Sequence, residues 1–156
     1  MSKKTVWTCV IVVLVVIIFC PLLIQVVPYG RNHTNPPLVN EPKWDSPRTR
    51  ELAQRACFDC HSNQTRWPWY THIAPFSRLA QSDVDRGRQA LNFSEWGQQL
   101  AGSRREREAD PNHIARSIQE GEMPPLVYLP IHPEANLTQA EKDELFQGLN
   151  ASLSKP

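Results

Sequence analysis

Neither sign of charge dominates this sequence. Its 17 Lys and Arg stand against 16 Asp and Glu, and the basic residues are scattered rather than striped, so no nucleic-acid partner is expected. No internal repeat and no alternating apolar–polar stretch of useful length occurs, which argues against a sheet and leaves an all-α chain. Methionine is nearly missing, Met123 being the only one besides the initiator. Cysteine is scarce too, and two of the four, Cys9 and Cys20, lie in an apolar run where they serve as small apolar residues. Aliphatic residues are sparse between Asn40 and Thr138. A chain of this length has room for one domain, and this one needs core material beyond its own side chains.

What the chain has in plenty is proline, fourteen residues falling mostly between candidate helices. It also has one long hydrophobic run. From Val6 to Val27 only Thr8 and Gln25 interrupt it. Twenty-two residues at about 1.5 Å each reach about 33 Å, enough to cross a bilayer core. A cleaved signal peptide is the competing interpretation, but its apolar region is shorter and ends at a small-residue site, and none follows here. Residues 1–28 are therefore expected to be an uncleaved anchor that contacts the lipid bilayer through residues 6–27. Lys3 and Lys4 precede the run, so the positive-inside rule places the N-terminus in the cytoplasm and the rest outside the inner membrane, in the periplasm. Residues 29–45, rich in proline and without amphipathic period, are expected to form a semi-rigid tether. In polyproline form such a segment reaches about 55 Å.

Residues 46–156 carry the helix signals. Ser46-Pro47 is an N-cap followed by proline at the first helical position, predicting a helix over Pro47–Ala56. Val84–Leu91 is a short helix by pattern. Ser94 is placed to cap another running through Trp96 and Leu100 into Arg104–Glu108, a solvated charge run. Asp110-Pro111 opens a helix to Gln119 or Glu120 that stops at Gly121. Met123–Asn136 is a proline-rich ordered loop. Thr138 and Glu141 match a capping box, opening a last helix from Gln139 to about Leu153 with Leu145, Phe146 and Leu149 as its apolar stripe. Gly148 inside it costs about 1 kcal/mol relative to alanine.

The chemistry sits at the end of the first of these helices. Cys57, Cys60 and His61 spell C-x-x-C-H, a haem-attachment pattern. Two thiols three positions apart can reach the two vinyl groups on one porphyrin edge, and the next residue places an imidazole beneath the iron. Two other chemistries use paired cysteines. A thioredoxin-like dithiol expects a βαβ setting, which is absent. Zinc needs a second ligand pair, for which only the loosely spaced His72, His113 and His132 are available. The sixth iron ligand is expected from Met123, just past a helix stop and stiffened by Pro124 and Pro125. His132 is the best alternative; His113 suits a surface or capping role, His72 packing, and His33 lies in the tether. Trp67, Trp69, Tyr70, Phe76, Trp96 and Tyr128 are candidate pocket aromatics. Trp69 or Tyr128 is a candidate donor to a haem propionate, with Arg66 and Arg78 as ion-pair candidates. Pro68 or Pro75 is a candidate carbonyl for the other nitrogen of His61. The N-x-[S/T] sequons at Asn32, Asn63, Asn92, Asn136 and Asn150 are taken as chance.

With these residues in view the chain resembles the haem-binding domain family of bacterial membrane-anchored proteins. The resemblance rests on Trp44-Asp45-Ser46-Pro47, Ala56-Cys57-Phe58-Asp59-Cys60-His61-Ser62-Asn63, Trp67-Pro68-Trp69-Tyr70, Gly121-Glu122-Met123-Pro124-Pro125, and His132-Pro133 with Leu137-Thr138. More distantly the layout is similar to class I cytochromes c, which implies thioethers at Cys57 and Cys60, His61 as proximal and Met123 as distal ligand, and one covalent haem c. The chain departs from that layout by its Trp-rich insertion and by Gly148, where an aromatic is common. The expected role is electron transfer with unidentified redox partner proteins. A haem-based gas or redox sensor with a displaceable distal ligand is the alternative. A small peroxidase would need acid–base residues that form no clear constellation here, so no enzyme is expected.

Overall fold

The structure, a computed structural model, describes residues 2–97 and 110–153. Helices account for its regular structure, and no strand occurs among the described residues; Asn40 and Glu95 form an isolated parallel bridge. The described residues make two units, one of 2–33 with 67–82, the other of 34–66 with 83–97 and 110–153.

In the first unit α1 (Lys3–Ile24) is 22 residues long and apolar enough to cross a membrane. It begins and ends three residues before the hydrophobic run does, and Ser2 caps its start by accepting from the Thr5 amide. Gln25, the polar residue near the end of the run, has a structural reason. Its side-chain amide donates to the Ala74 carbonyl (2.9 Å) and its Oε1 accepts from the Ala74 amide (3.0 Å). Trp69–His72 form a single 3₁₀ turn. The segment expected to be a semi-rigid tether is packed here from its start. Gly30, at φ +85°, lies against the Ser77–Arg78 backbone, where only a residue without Cβ fits. His33 stacks on Trp67 at 4.4 Å and its Nε2 meets the Thr71 carbonyl at 3.0 Å.

The second unit holds the hydrophobic core. Its helix α2 (Pro47–Ala56) starts where Ser46 Oγ accepts from the Thr49 amide at 3.1 Å. The short α3 (Phe58–His61) follows after one residue. Helix α4 (Phe76–Ala90), whose residues up to Ser82 count with the first unit, begins earlier than the expected Val84, directly after Pro75. Its buried stripe runs Ser77, Gln81, Val84 and Gly87, mostly small or polar residues that an apolar period overlooks. Residues 94–97 form turns rather than the expected helix start, since Ser94 is already used. Its amide donates to Asn92 Oδ1 and its carbonyl accepts from Val39 and Asn40. The rest of that expected helix lies outside the described residues. Helix α5 (Pro111–Gln119) is capped by Asp110 and ends before Gly121 at φ +74°. Two 3₁₀ turns, Leu129–Ile131 and Pro133–Ala135, order the proline-rich loop. Helix α6 (Gln139–Leu153) opens on the reciprocal bonds Glu141 N–H to Thr138 Oγ1 (3.2 Å) and Thr138 N–H to Glu141 Oε2 (2.9 Å).

Leu52, Ala53, Phe58, Leu91, Phe93, Ile114, Ile118, Leu137, Leu145 and Leu149 form the core, with Trp44 and Trp96 at its margin. Helices α2 and α6 cross at Gly148, where a Cβ would overlap the side chain of Thr49. Gly148 is therefore a close-approach residue, and its propensity cost secures the crossing. Residues 34–45 also belong to this unit rather than hanging free. Arg50 grips Glu41 through two bonds (2.7 and 2.8 Å), and Trp44 Nε1 and Gln64 Nε2 donate to the same carboxylate.

Candidate functional site

Helix α2 delivers Cys57, whose carbonyl accepts from the amides of Cys60 (3.1 Å) and His61 (2.9 Å). This single turn brings both sulfurs and the imidazole together. Both cysteines are free thiols, partly buried. Burial pushes Cys57 up to about 12, with the neighbouring Cys60 adding to it. Burial also pushes Cys60 up to about 12, the carboxylates of Asp83 and Asp59 adding and Arg88 opposing. Such groups stay protonated near neutral pH, whereas reactive dithiols hold a lowered pKa.

The segment after α4 fixes the histidine. His61 Nδ1 lies 3.1 Å from the Leu91 carbonyl, and the His61 carbonyl accepts from the Phe93 amide at 2.8 Å. With Nδ1–H donating to Leu91, the ring's lone pair resides on Nε2, the arrangement that orients a metal-binding imidazole. The carbonyl partner is thus Leu91, not Pro68 or Pro75. A buried polar lattice locks the same junction. Asn63 donates its amide to Ser94 Oγ (2.9 Å) and its Oδ1 accepts from Asn92 (2.9 Å). Arg88 donates to the Ser62 carbonyl and to Thr65 Oγ1. Two of the sequon asparagines, Asn63 and Asn92, are therefore buried structural residues. Gly87 completes the wall, since a Cβ there would collide with the Cys60 carbonyl.

Asp59, inside the attachment motif, is the second anchor. It accepts from the Arg66 backbone N–H (2.9 Å), from the Arg66 guanidinium, and from the Tyr128 hydroxyl at 2.6 Å. Burial, then this bond to a carboxylate, raises the Tyr128 phenol well above its ordinary value. Tyr128 in turn stacks on His132 at 3.8 Å, and His132 Nδ1 sits 3.5 Å from Glu134. The candidate propionate donor Tyr128 and the candidate ion-pair residue Arg66 are thus both engaged by Asp59. The bond to Tyr128 ties the loop that carries Met123 to the turn that carries the thiols. Met123 is 41 % exposed, and Leu126, Val127 and Ile131 of the same loop are more exposed still. His113 lies exposed in α5. His72 meets His33 edge-on at 4.3 Å in the first unit, which also holds Trp67, Trp69, Tyr70, Phe76 and Arg78.

The donor chemistry fits haem. Two adjacent thiols, an imidazole pinned through Nδ1, and a thioether on an apolar loop bonded to the same motif are the groups such a cofactor takes. Exposed apolar loop residues are a surface suited to a large apolar ring. A helical frame around one C-x-x-C-H turn suits a haem-binding protein. The chain belongs to the haem-binding domain family, whose sequence profile matches residues 19–151. No curated protein and no solved structure gives a significant match.

Proposed function

We propose that this haem-binding protein is a membrane-anchored mono-haem c-type cytochrome that carries electrons, not an enzyme. Cys57 and Cys60 form the thioethers, His61 is the proximal ligand and Met123 the distal one. The N-terminus lies in the cytoplasm and the helical domain outside the inner membrane, where redox partner proteins reach it. The observation that carries this proposal is the His61 ring held by the Leu91 carbonyl on the same turn as two free thiols. Bound haem supplies a one-electron couple, and His/Met ligation raises its potential. The chain's own residues do the rest. Leu91 fixes the ring plane and basicity of His61. The Asn63–Asn92–Ser94 lattice holds the turn rigid. Asp59 and Tyr128 hold the Met123 loop. His132 is occupied by Tyr128 and Glu134, which favours Met123 over it as ligand.

The exposure of Met123 favours a second possibility, a sensor in which a diatomic gas displaces it. One experiment separates the two. The full chain is matured with c-type haem, and its optical spectrum is compared with that of Met123→Ala. A low-spin wild type showing the weak long-wavelength sulfur-to-ferric-iron band, lost in the variant, supports the carrier. A carbon-monoxide-reactive wild type indifferent to the substitution overturns Met123 as ligand. Haem extracted by acidic organic solvent from the wild type would overturn covalent attachment.

A further inference from the structure

The first unit carries an apolar face that the haem chemistry does not use. Helix α1 spans about 33 Å from Lys3 to Ile24, close to the thickness of a bilayer core. At its end the Gln25 side chain pairs with both backbone groups of Ala74. Arg31 donates to the Gln25 carbonyl (2.7 Å) and to its Oε1 (2.9 Å), just past the end of α1. These bonds hold Ile73–Phe76 at the level where the apolar run leaves the membrane. Around that point the surface is aromatic and aliphatic. Trp69 is 76 % exposed, Phe76 54 % and Leu79 57 %, and Ile73 is also exposed. Trp69, Tyr70 and Phe76 form a contiguous aromatic series, with ring centroids 6.1 and 6.4 Å apart. Between Pro68 and Ser77 there is no Asp, Glu, Lys or Arg, and Arg78 follows in sequence.

We infer that the face formed by Trp69, Ile73, Phe76 and Leu79 lies in the interfacial layer of the bilayer that α1 crosses, so that the lipid surface is its partner. Aromatic rings with one apolar and one wet side concentrate at that depth. The Gln25–Ala74 pair places the face beside the end of the span and fixes its height. The same bilayer is therefore the partner already within reach. The unit rests on the membrane by a second contact, in addition to its anchor.

The inference rests on α1 crossing the membrane, and the test separates the two statements. p-Benzoylphenylalanine is installed singly at Trp69, Phe76, Ile11 in α1 or Glu51 on the exposed side of α2, in full-length holoprotein reconstituted in phosphatidylcholine vesicles. After irradiation the adducts are read by mass spectrometry, and the absorption spectrum verifies that each variant retains haem. Lipid adducts at Trp69 and Phe76 comparable with those at Ile11, and several-fold above Glu51, are expected. Adducts at Ile11 with only background at both aromatic positions overturn the interfacial face and leave the span intact. Background at Ile11 overturns the span and the face with it. Chain-to-chain adducts at Trp69 and Phe76 in place of lipid adducts replace the bilayer with a second copy of the protein.

Discussion

Gly87 is one hydrogen atom away from a collision with the carbonyl of Cys60. In an open helix, alanine at such a position gains about 1 kcal/mol in propensity. Here the added methyl meets backbone of the C-x-x-C-H turn, and overpacking of that kind costs about 1–3 kcal/mol. The cost exceeds the gain, because Cys60 cannot retreat without dragging His61 off the Leu91 carbonyl. Gly87→Ala is expected to lower the guanidinium unfolding midpoint at unchanged slope and to reduce the haem retained per chain. A raised midpoint would refute the close approach. The C-x-x-C-H turn was legible in the sequence because its three side chains lie within five residues. Leu91 was not, since it acts through a main-chain oxygen thirty residues downstream and its side chain carries no sign of that role. Asp59 stood in plain view inside the motif, but its partner Tyr128 is 69 residues away and had been expected to face a propionate.

Among the elements, α2, α5 and α6 could be bounded from sequence because their signals are local. Ser46, Asp110 and Thr138 each accept from an amide two or three residues on. The start of α4 was hidden by its stripe of small and polar buried residues. The crossing of α2 and α6 was hidden because it depends on a pair distant in sequence, Thr49 and Gly148. Gly148→Ala is expected to destabilise by about 1–3 kcal/mol, against a propensity gain of about 1 kcal/mol. Thr49→Ala removes the two closest atoms, so the double variant is expected to recover part of that loss. A thermodynamic cycle by chemical denaturation measures the coupling, and strict additivity would show that the helices cross elsewhere. The loop from Met123 to Asn136 calls for a different readout. Tyr128→Phe removes a hydrogen bond to a carboxylate, a change of about 1.5–3 kcal/mol in such settings. If that bond holds the Met123 loop, the variant binds carbon monoxide more readily than wild type and less than Met123→Ala. Equal binding by wild type and Tyr128→Phe, with Met123→Ala reactive, would free the loop from this bond and leave the ligand assignment standing.

For the molecule as a whole, two carboxylates far apart in the chain converge on α2. Glu41 is held down to about 2, first by its bonds with Arg50 and then by Trp44 and Gln64, against the opposing effect of burial. Glu141 is likewise held down to about 2, chiefly by Arg55 and by the Thr138 amide, and it also pairs with Arg48. Both titrate near 4.5 when the chain is unfolded. Between those values the unfolded chain binds more protons than the native one, so stability rises with pH there. Their contribution is complete above about 4.5 and is lost as pH falls through about 2. The two side chains are about equally exposed, but Glu141 has fewer protein atoms packed around it, so more of the effect is assigned to Glu41, whose carboxylate is screened less by water. The melting temperature of the detergent-solubilised holoprotein, followed by far-ultraviolet circular dichroism, is accordingly expected to fall steeply from pH 4.5 toward 2. Glu41→Gln flattens that fall and lowers the plateau, Glu141→Gln does so less, and the double variant is flattest. Haem propionates titrating in the same range affect all four proteins alike and cancel in the comparison. An unchanged slope in the double variant would mean that the acid sensitivity of the fold resides elsewhere than in the two grips on α2.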